Sequence, residues 1–178
     1  GDPSGMYLEE NWQDGAAVLK DGSRIEGEFR YNIYHQKMEA VVESDTFAFA
    51  RPLEIEKMQV GGQEFRYCTF MRESGELSAG WFESLAEGEC SLFLRYFIKY
   101  RVADGDGDPT NDQLYRLQEY YTCRGENSLT HLHVSKKSVL SKLGEHQKLL
   151  KSFMKKENIR VKERDDLVEL FAFYNDLK

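Results

Sequence analysis

From Trp12 to about Val134, apolar and polar positions alternate with a period of two, in short runs divided by turn residues. Period two places successive side chains on opposite faces of a strand, so each run predicts a β-strand with one dry and one wet face. Ala16 to Lys20 is followed by Asp21-Gly22, a two-residue hairpin signal, and then by Arg24 to Tyr31. In this second run Ile25, Gly27, Phe29 and Tyr31 share one face, and Arg24, Glu26, Glu28 and Arg30 share the other. Lys37 to Glu43 and Thr46 to Ala50 come next. Arg51-Pro52 interrupts them, because proline cannot donate to a ladder. Leu53 to Val60 turns at Gly61-Gly62 into Gln63 to Arg72, and Ser74-Gly75 leads on to Leu77 to Ala86.

After Glu87-Gly88 comes the longest run, Glu89 to Val102. Cys90, Leu92, Leu94, Tyr96, Ile98, Tyr100 and Val102 form a wholly apolar face, expected to be core and the central seam of the sheet. Its opposite face sets Phe93 and Phe97 among Ser91, Arg95, Lys99 and Arg101, and partial cover is expected there. A loop from Ala103 to Asp112, rich in Asp and Gly, precedes a strand from Leu114 to Arg124. Gly125-Glu126-Asn127 then turns into a short strand, Ser128 to Val134.

After Ser135 the period shifts to near 3.6, the signature of amphipathic helices. Ser135 is the expected N-cap of a first helix carrying Val139, Leu140 and Leu143, which Gly144 stops. Leu149, Leu150, Phe153 and Met154 make a second apolar stripe, and Leu167, Leu170, Phe171 and Tyr174 a third. Asp165 and Asp166 fall in the first turn of the last helix, where the helix dipole favours anions. Helices this short are marginal alone and are expected to dock on the sheet. The predicted fold is α+β and mainly antiparallel. A meander of about ten strands closes into a barrel or forms two packed sheets, followed by two or three C-terminal helices. Residues 1–10 read as a flexible leader and 11–178 as a single domain, with a β body over 11–134 and a helical tail over 135–178.

Composition supports an ordered core. The chain has 178 residues, 40% hydrophobic and 13% aromatic, which is too apolar for a disordered body. Folding a chain of this length buries roughly 70% of its unfolded surface, enough for a core that needs neither metal nor disulfide. The formal charge is −7, from 24 basic and 31 acidic residues, which sets the chain against generic nucleic-acid binding. Its basic residues gather at Lys136, Lys137, Lys142, Lys148, Lys151, Lys155 and Lys156. At helical spacing these read as solvated faces, with an anionic partner as the alternative. The longest apolar segment, Leu92 to Ile98, is interrupted by Arg95 and falls far short of the ~20 residues of a membrane helix, so no transmembrane segment is expected. The start Gly1-Asp2-Pro3-Ser4-Gly5 suits a chain whose signal peptide has been removed.

Local candidates for chemistry each have a plainer reading. Asp104, Asp106 and Asp108 stand at alternate positions, as do the first three ligands of an EF-hand calcium loop, and Asp112 fits its ninth position. Pro109 and Tyr115 occupy the places of the essential glycine and the bidentate glutamate, and an acidic solvated loop accounts for the same residues. His131 and His133 share a strand face and suit zinc or cupin-type iron. A cupin needs a glutamate where Lys136 and Lys137 stand, and solvent-facing histidines explain the pair as well. Cys68, Cys90 and Cys123 contain no Cys-x-x-Cys pair. An odd residue-number sum allows Cys90 to face Cys123 across a hairpin; buried free thiols are the favoured alternative. Glu83, Glu87 and Glu119 are carboxylates that could serve glycoside hydrolysis, but solvation explains them more simply. Trp12, Trp81, Tyr120 and Tyr121 could stack on sugars, with core packing as the stronger expectation. No nucleophile elbow and no phosphate-cradling loop occurs. No catalytic, cofactor-binding or metal-ligating residue is therefore assigned, and no cofactor is expected.

Several segments carry a family resemblance. Gly80-Trp81-Phe82-Glu83-Ser84-Leu85-Ala86-Glu87-Gly88-Glu89-Cys90-Ser91-Leu92 resembles a stretch recurring in uncharacterised secreted proteins of Bacteroidetes-type bacteria. Asp21 to Gly27 and the Phe-Tyr-Asn ending within Leu167 to Asn175 resemble the same group, and the acidic loop around Asp106 departs from it. The resemblance implies a removed signal peptide and a periplasmic or cell-surface location, and no activity. The expected function is a non-catalytic exported binding or assembly module of the cell envelope, meeting an envelope protein or a glycan. The alternatives are a small carboxylate-dependent hydrolase of envelope or dietary glycans, and a calcium-stabilised domain.

Overall fold

The computed structural model describes residues 5–49, 52–101 and 113–177. Ten strands form among them: β1 Gln13–Leu19, β2 Arg24–Asn32, β3 Lys37–Val42, β4 Asp45–Ala48, β5 Ile55–Val60, β6 Gln63–Met71, β7 Leu77–Ala86, β8 Cys90–Arg101, β9 Gln113–Arg124 and β10 Thr130–Leu132. Three helices follow: α1 Lys136–Leu143, α2 Gln147–Lys156 and α3 Arg164–Asp176. The strands make one antiparallel sheet in the order β10-β9-β8-β7-β6-β5-β1-β2-β3-β4. The expected α+β class, a sheet followed by C-terminal helices, is what forms. Of the two expected arrangements, a barrel or two packed sheets, the barrel does not form, because the sheet does not close.

The order also departs from a plain meander. β1 pairs with β2 through Ala17↔Ile25 and with β5 through Ala17↔Met58, so β2, β3 and β4 extend outward from it and β4 becomes an edge. Small residues allow β1 this inner position. Ala16 and Ala17 are fully buried, and a Cβ on Gly15 would lie 1.9 Å from the Gln59 carbonyl oxygen of β5. Glycine is needed there for the close approach of the two backbones. The link from β4 to β5 is not a hairpin and ends in a single 3-10 turn at Pro52–Glu54.

The chain divides into two compact units. The first comprises Gly1–Tyr67 and Arg95–Gln118. Its core holds Phe29, Tyr31, Ile33, Met38, Ala40, Met58 and Phe65. The alternation of β2 is obeyed: Phe29 and Tyr31 are buried, while Arg24, Glu26 and Glu28 are exposed. Arg30 is the exception on the polar face. Its guanidinium lies 3.8 Å from the ring centre of Tyr7 and 4.3 Å from that of Trp12, and it pairs with Glu39 at 3.4 Å. Met6, Tyr7 and Leu8 are buried in this unit. The Leu8 N–H donates to the Tyr31 carbonyl, and the Ile33 N–H to that of Met6. The Tyr31 hydroxyl donates to Gln36 Oε1 at 2.8 Å, and burial pushes this phenol well above its ordinary pKa.

The second unit comprises Cys68–Leu94 and Glu119–Lys178. One face of its strands gathers Phe70, Phe82, Phe93, Tyr121 and Leu129 into an aromatic cluster with edge-to-face contacts. An isolated parallel bridge between Phe70 and Leu129 adds backbone hydrogen bonds beside it. The opposite face carries Trp81, Glu83, Cys90, Leu92 and Leu94, and α3 packs on β7. α1 packs on β10, and α2 on α3. Buried Val139, Leu140, Leu143, Leu150, Met154, Leu167, Leu170, Phe171 and Tyr174 supply the helical layer, from all three predicted stripes.

β8 corrects the reading of its own sequence. Its even-numbered face is buried from Cys90 to Tyr96 only; Ile98 is half-buried, Tyr100 is 60% exposed, and Val102 lies outside the described residues. Phe93, on the face expected to be partly covered, is fully in the core. β8 is also third from one edge of the sheet and is not its central strand. Alternation records which residues share a face, but not how far along the strand neighbouring elements cover it.

The predicted caps hold. Ser135 Oγ accepts the Ser138 N–H at 3.1 Å, and Gly144, at φ 76°, donates its N–H to the Leu140 carbonyl. Arg124 finishes the C-terminus of α1 by donating to the carbonyls of Lys142 and Leu143, and it also donates to the Tyr174 hydroxyl at 3.0 Å.

Candidate functional site

The residues singled out in the sequence scatter. Asp104, Asp106, Asp108 and Asp112 lie outside the described residues. His131 is half-buried on β10, opposite Tyr121 of β9, and its Nδ1 is buried without a hydrogen-bond partner. Its ring meets Tyr121 at 5.5 Å and His133 at 4.6 Å, both edge to face, so of the two histidines only His133 is exposed. Among the described residues no group of three or more His, Cys, Asp and Glu side chains could hold a metal.

None of the three cysteines forms a disulfide. Cys123 packs on the cluster that contains Phe93, whereas Cys90 shares the alternate face of β8 with Leu92 and Leu94, so the two thiols sit on opposite faces. Burial raises the pKa of both, the reverse of what activates a nucleophile. Cys90 is instead a docking point for α3. Its N–H donates to Asn175 Oδ1 at 2.9 Å, and Asn175 Nδ2 donates to its carbonyl at 3.0 Å. A Cβ at Gly88 would fall 2.5 Å from the Asn175 carboxamide carbon. The Glu87-Gly88 turn and the Phe-Tyr-Asn ending, both noted in the sequence, therefore meet in space.

Glu83 is not a solvated carboxylate. It is buried and paired with the half-exposed guanidinium of Arg164 at the start of α3. Glu119 accepts the Tyr121 hydroxyl at 3.1 Å, and Glu87 accepts that of Ser84 at 3.1 Å. Trp81, Tyr120 and Tyr121 are buried, as the core reading expected. Trp12 keeps one ring face over Arg30.

What the structure does assemble is a lysine face on α1 and α2. Residues 136–156 hold seven lysines and one acidic residue, Glu145, a net +6 within a chain of net −7. Lys136, Lys137, Lys148, Lys151, Lys155 and Lys156 are all exposed. Among the described residues none of them lies within ion-pair distance of a carboxylate. Lys142 donates to Thr130 Oγ1 at 3.1 Å.

Two open grooves run beside these lysines. One, of about 480 Å³, is lined by Lys136, Lys137, Leu140, Ser141, Gln147 and Lys151. The other, of about 500 Å³, is lined by Lys137, Ser138, Ser141 and Lys142. They share Lys137 and Ser141. Gln147 braces the first groove by donating to the Leu140 and Gly144 carbonyls at 2.8 and 3.0 Å, which ties the start of α2 to the end of α1. The lining thus offers ammonium groups and hydroxyls over a buried leucine. It has no carboxylate to neutralise them, and it favours anions by Coulomb attraction.

The first-turn lysines also oppose local helix electrostatics, whereas Lys142, Lys155 and Lys156 lie in last turns, where the dipole favours them. Lys136 and Lys137 open α1 and Lys148 lies in the first turn of α2, where the helix N-terminus carries partial positive charge, and neither first turn holds an acid. Lys151 and Lys155, at i and i+4 on α2, add like-charge repulsion. The sequence contained this signal as a run of lysines, with Ser135 already marking the start of α1; the start of α2, which makes Lys148 unfavourable, comes from the structure.

Among the described residues no helix is long and apolar enough to cross a membrane. Comparison with protein-family models, with curated proteins and with solved structures returns no match to this chain.

Proposed function

We propose that this chain is a non-catalytic binding module of the cell envelope, exported from the cell, that engages an anionic partner through the lysine face of α1 and α2. The observation that carries the binding reading is the set of lysines around two adjoining grooves on an otherwise acidic chain, of which Lys136, Lys137 and Lys151 meet no carboxylate among the described residues. Charge so separated makes one surface attractive to anions while the whole molecule remains anionic. Export and envelope location rest on the resemblance of the Gly80 to Leu92 segment to secreted proteins. The hydrolase reading gains no comparable support, because Glu83, Glu87 and Glu119 are each engaged by neighbouring side chains.

Ion exchange tests the binding reading directly. A protein with a pI near 5.2 should pass a sulfonate cation exchanger at pH 7.5 if its charge is evenly spread. Retention at low salt, lost on replacing Lys136, Lys137, Lys148 and Lys151 together by Gln, is the expected result. Unretained flow of the native protein counts against a working basic face.

A further inference from the structure

We infer that the partner is a linear acidic polysaccharide, a sugar chain with a carboxylate or sulfate on its repeating unit, lying along the two grooves of α1. This rests on the binding reading above and names its ligand. The first ground is the composition of the lining: Lys136, Lys137, Lys142 and Lys151 for the anionic groups, and Ser138 and Ser141 for sugar hydroxyls. A sugar chain presents both kinds of group in alternation, and this lining answers both.

The second ground is repetition. Two grooves share a wall at Lys137 and Ser141, so a single small anion would use only part of the surface. An eight-residue helix is ~12 Å long, enough for more than one charged repeat of an extended chain.

The third ground is what the lining lacks. It has no aromatic side chain on which a nucleobase could stack, and no arginine fork for bidentate phosphate recognition. An anionic bilayer would want an apolar helix face to insert. Leu150 and Met154, the apolar stripe of α2, are buried in the protein, and only Leu149 stands exposed beside the lysines. The unfavourable placement of Lys136, Lys137 and Lys148 at helix starts adds weight, since local rules are broken where function demands it.

The test is titration of the whole chain, at low salt, with polygalacturonate and chondroitin sulfate. Neutral dextran, poly-glutamate, a single-stranded DNA and vesicles of half phosphatidylglycerol serve as the other arms. Saturable binding of at least one acidic polysaccharide is expected, at least tenfold tighter than poly-glutamate of equal charge, with no binding of dextran. The variant Lys136→Gln/Lys137→Gln/Lys151→Gln, at three exposed positions, should lose that binding by at least tenfold while melting no lower than the native protein. Acetylation mapping on the native chain needs no variant: the bound polymer should protect Lys137, Lys142 and Lys151 more than Lys155 and Lys156. Equal or tighter binding of poly-glutamate, DNA or vesicles would overturn the assignment, as would the absence of any polysaccharide binding. If the protein is retained on the cation exchanger yet ignores both polysaccharides, the basic face stands and this inference falls.

Discussion

The first turn of α3 carries carboxylates, which helix electrostatics favours there, and the first turns of α1 and α2 carry lysines, which it does not. Asp165 and Asp166 occupy the first turn of α3, and Asp166 also accepts the Arg160 N–H at 2.9 Å. At the same position α1 has Lys136 and Lys137, and α2 has Lys148. The difference extends to anchoring. α3 is held by Phe171 in the core, by the Glu83–Arg164 pair and by the Asn175 amide on Cys90, whereas the lysines of α1 and α2, Lys142 apart, are exposed. The contrast teaches that the first turn of α3 serves its anchoring, while the first turns of α1 and α2 give up some helix stability to present charge.

The largest effect expected from this contrast is in the core under α3. Phe171→Ala should destabilise the protein by about 4 kcal/mol in urea unfolding, while Lys148→Ala should change it by less than about 0.5 kcal/mol. A comparable loss from the lysine variant would erase the distinction. Next, Arg164→Ala should cost about 2 kcal/mol, because it leaves the buried Glu83 carboxylate without its ion partner; partial exposure of the arginine keeps the loss below that of a fully buried pair. The double variant with Glu83→Leu should recover part of that loss. A smaller cost, about 1–2 kcal/mol, is expected for Asn175→Ala, which strips two hydrogen bonds from Cys90. Hydrogen exchange at the Cys90 amide should then speed up more than at Leu94.

How much of this was legible in the sequence depended on the range of the interaction. Ser135 and Gly144 announced the limits of α1 because a cap is settled within a few residues. Strand faces such as Phe29 and Tyr31 were equally plain. The insertion of β1 beside β5 was not, since hairpin signals record neighbours in sequence and say nothing of a strand's second partner. Glu83 meets Arg164 across 81 residues and Cys90 meets Asn175 across 85, so neither pair could be seen in local alternation. The Cys90 and Cys123 pairing failed for a related reason. It assumed that both cysteines shared the better apolar face, but in this unit both faces of the sheet are covered, one by aromatic rings and one by helices. The lysines were visible as a run, and their neighbouring acids elsewhere in the chain hid how unbalanced their own surface is.

The central claim is that α1 and α2 carry the lysines of their first turns, Lys136, Lys137 and Lys148, at the expense of helix stability. Urea unfolding of Lys136→Glu/Lys148→Glu against the native chain tests it most directly. Reversing two charges at helix starts should raise the midpoint, by about 1 kcal/mol of added stability at low salt, and the gain should shrink as salt screens it. A midpoint lowered by the reversal would contradict the account, because it would mean that these lysines already stabilise the fold.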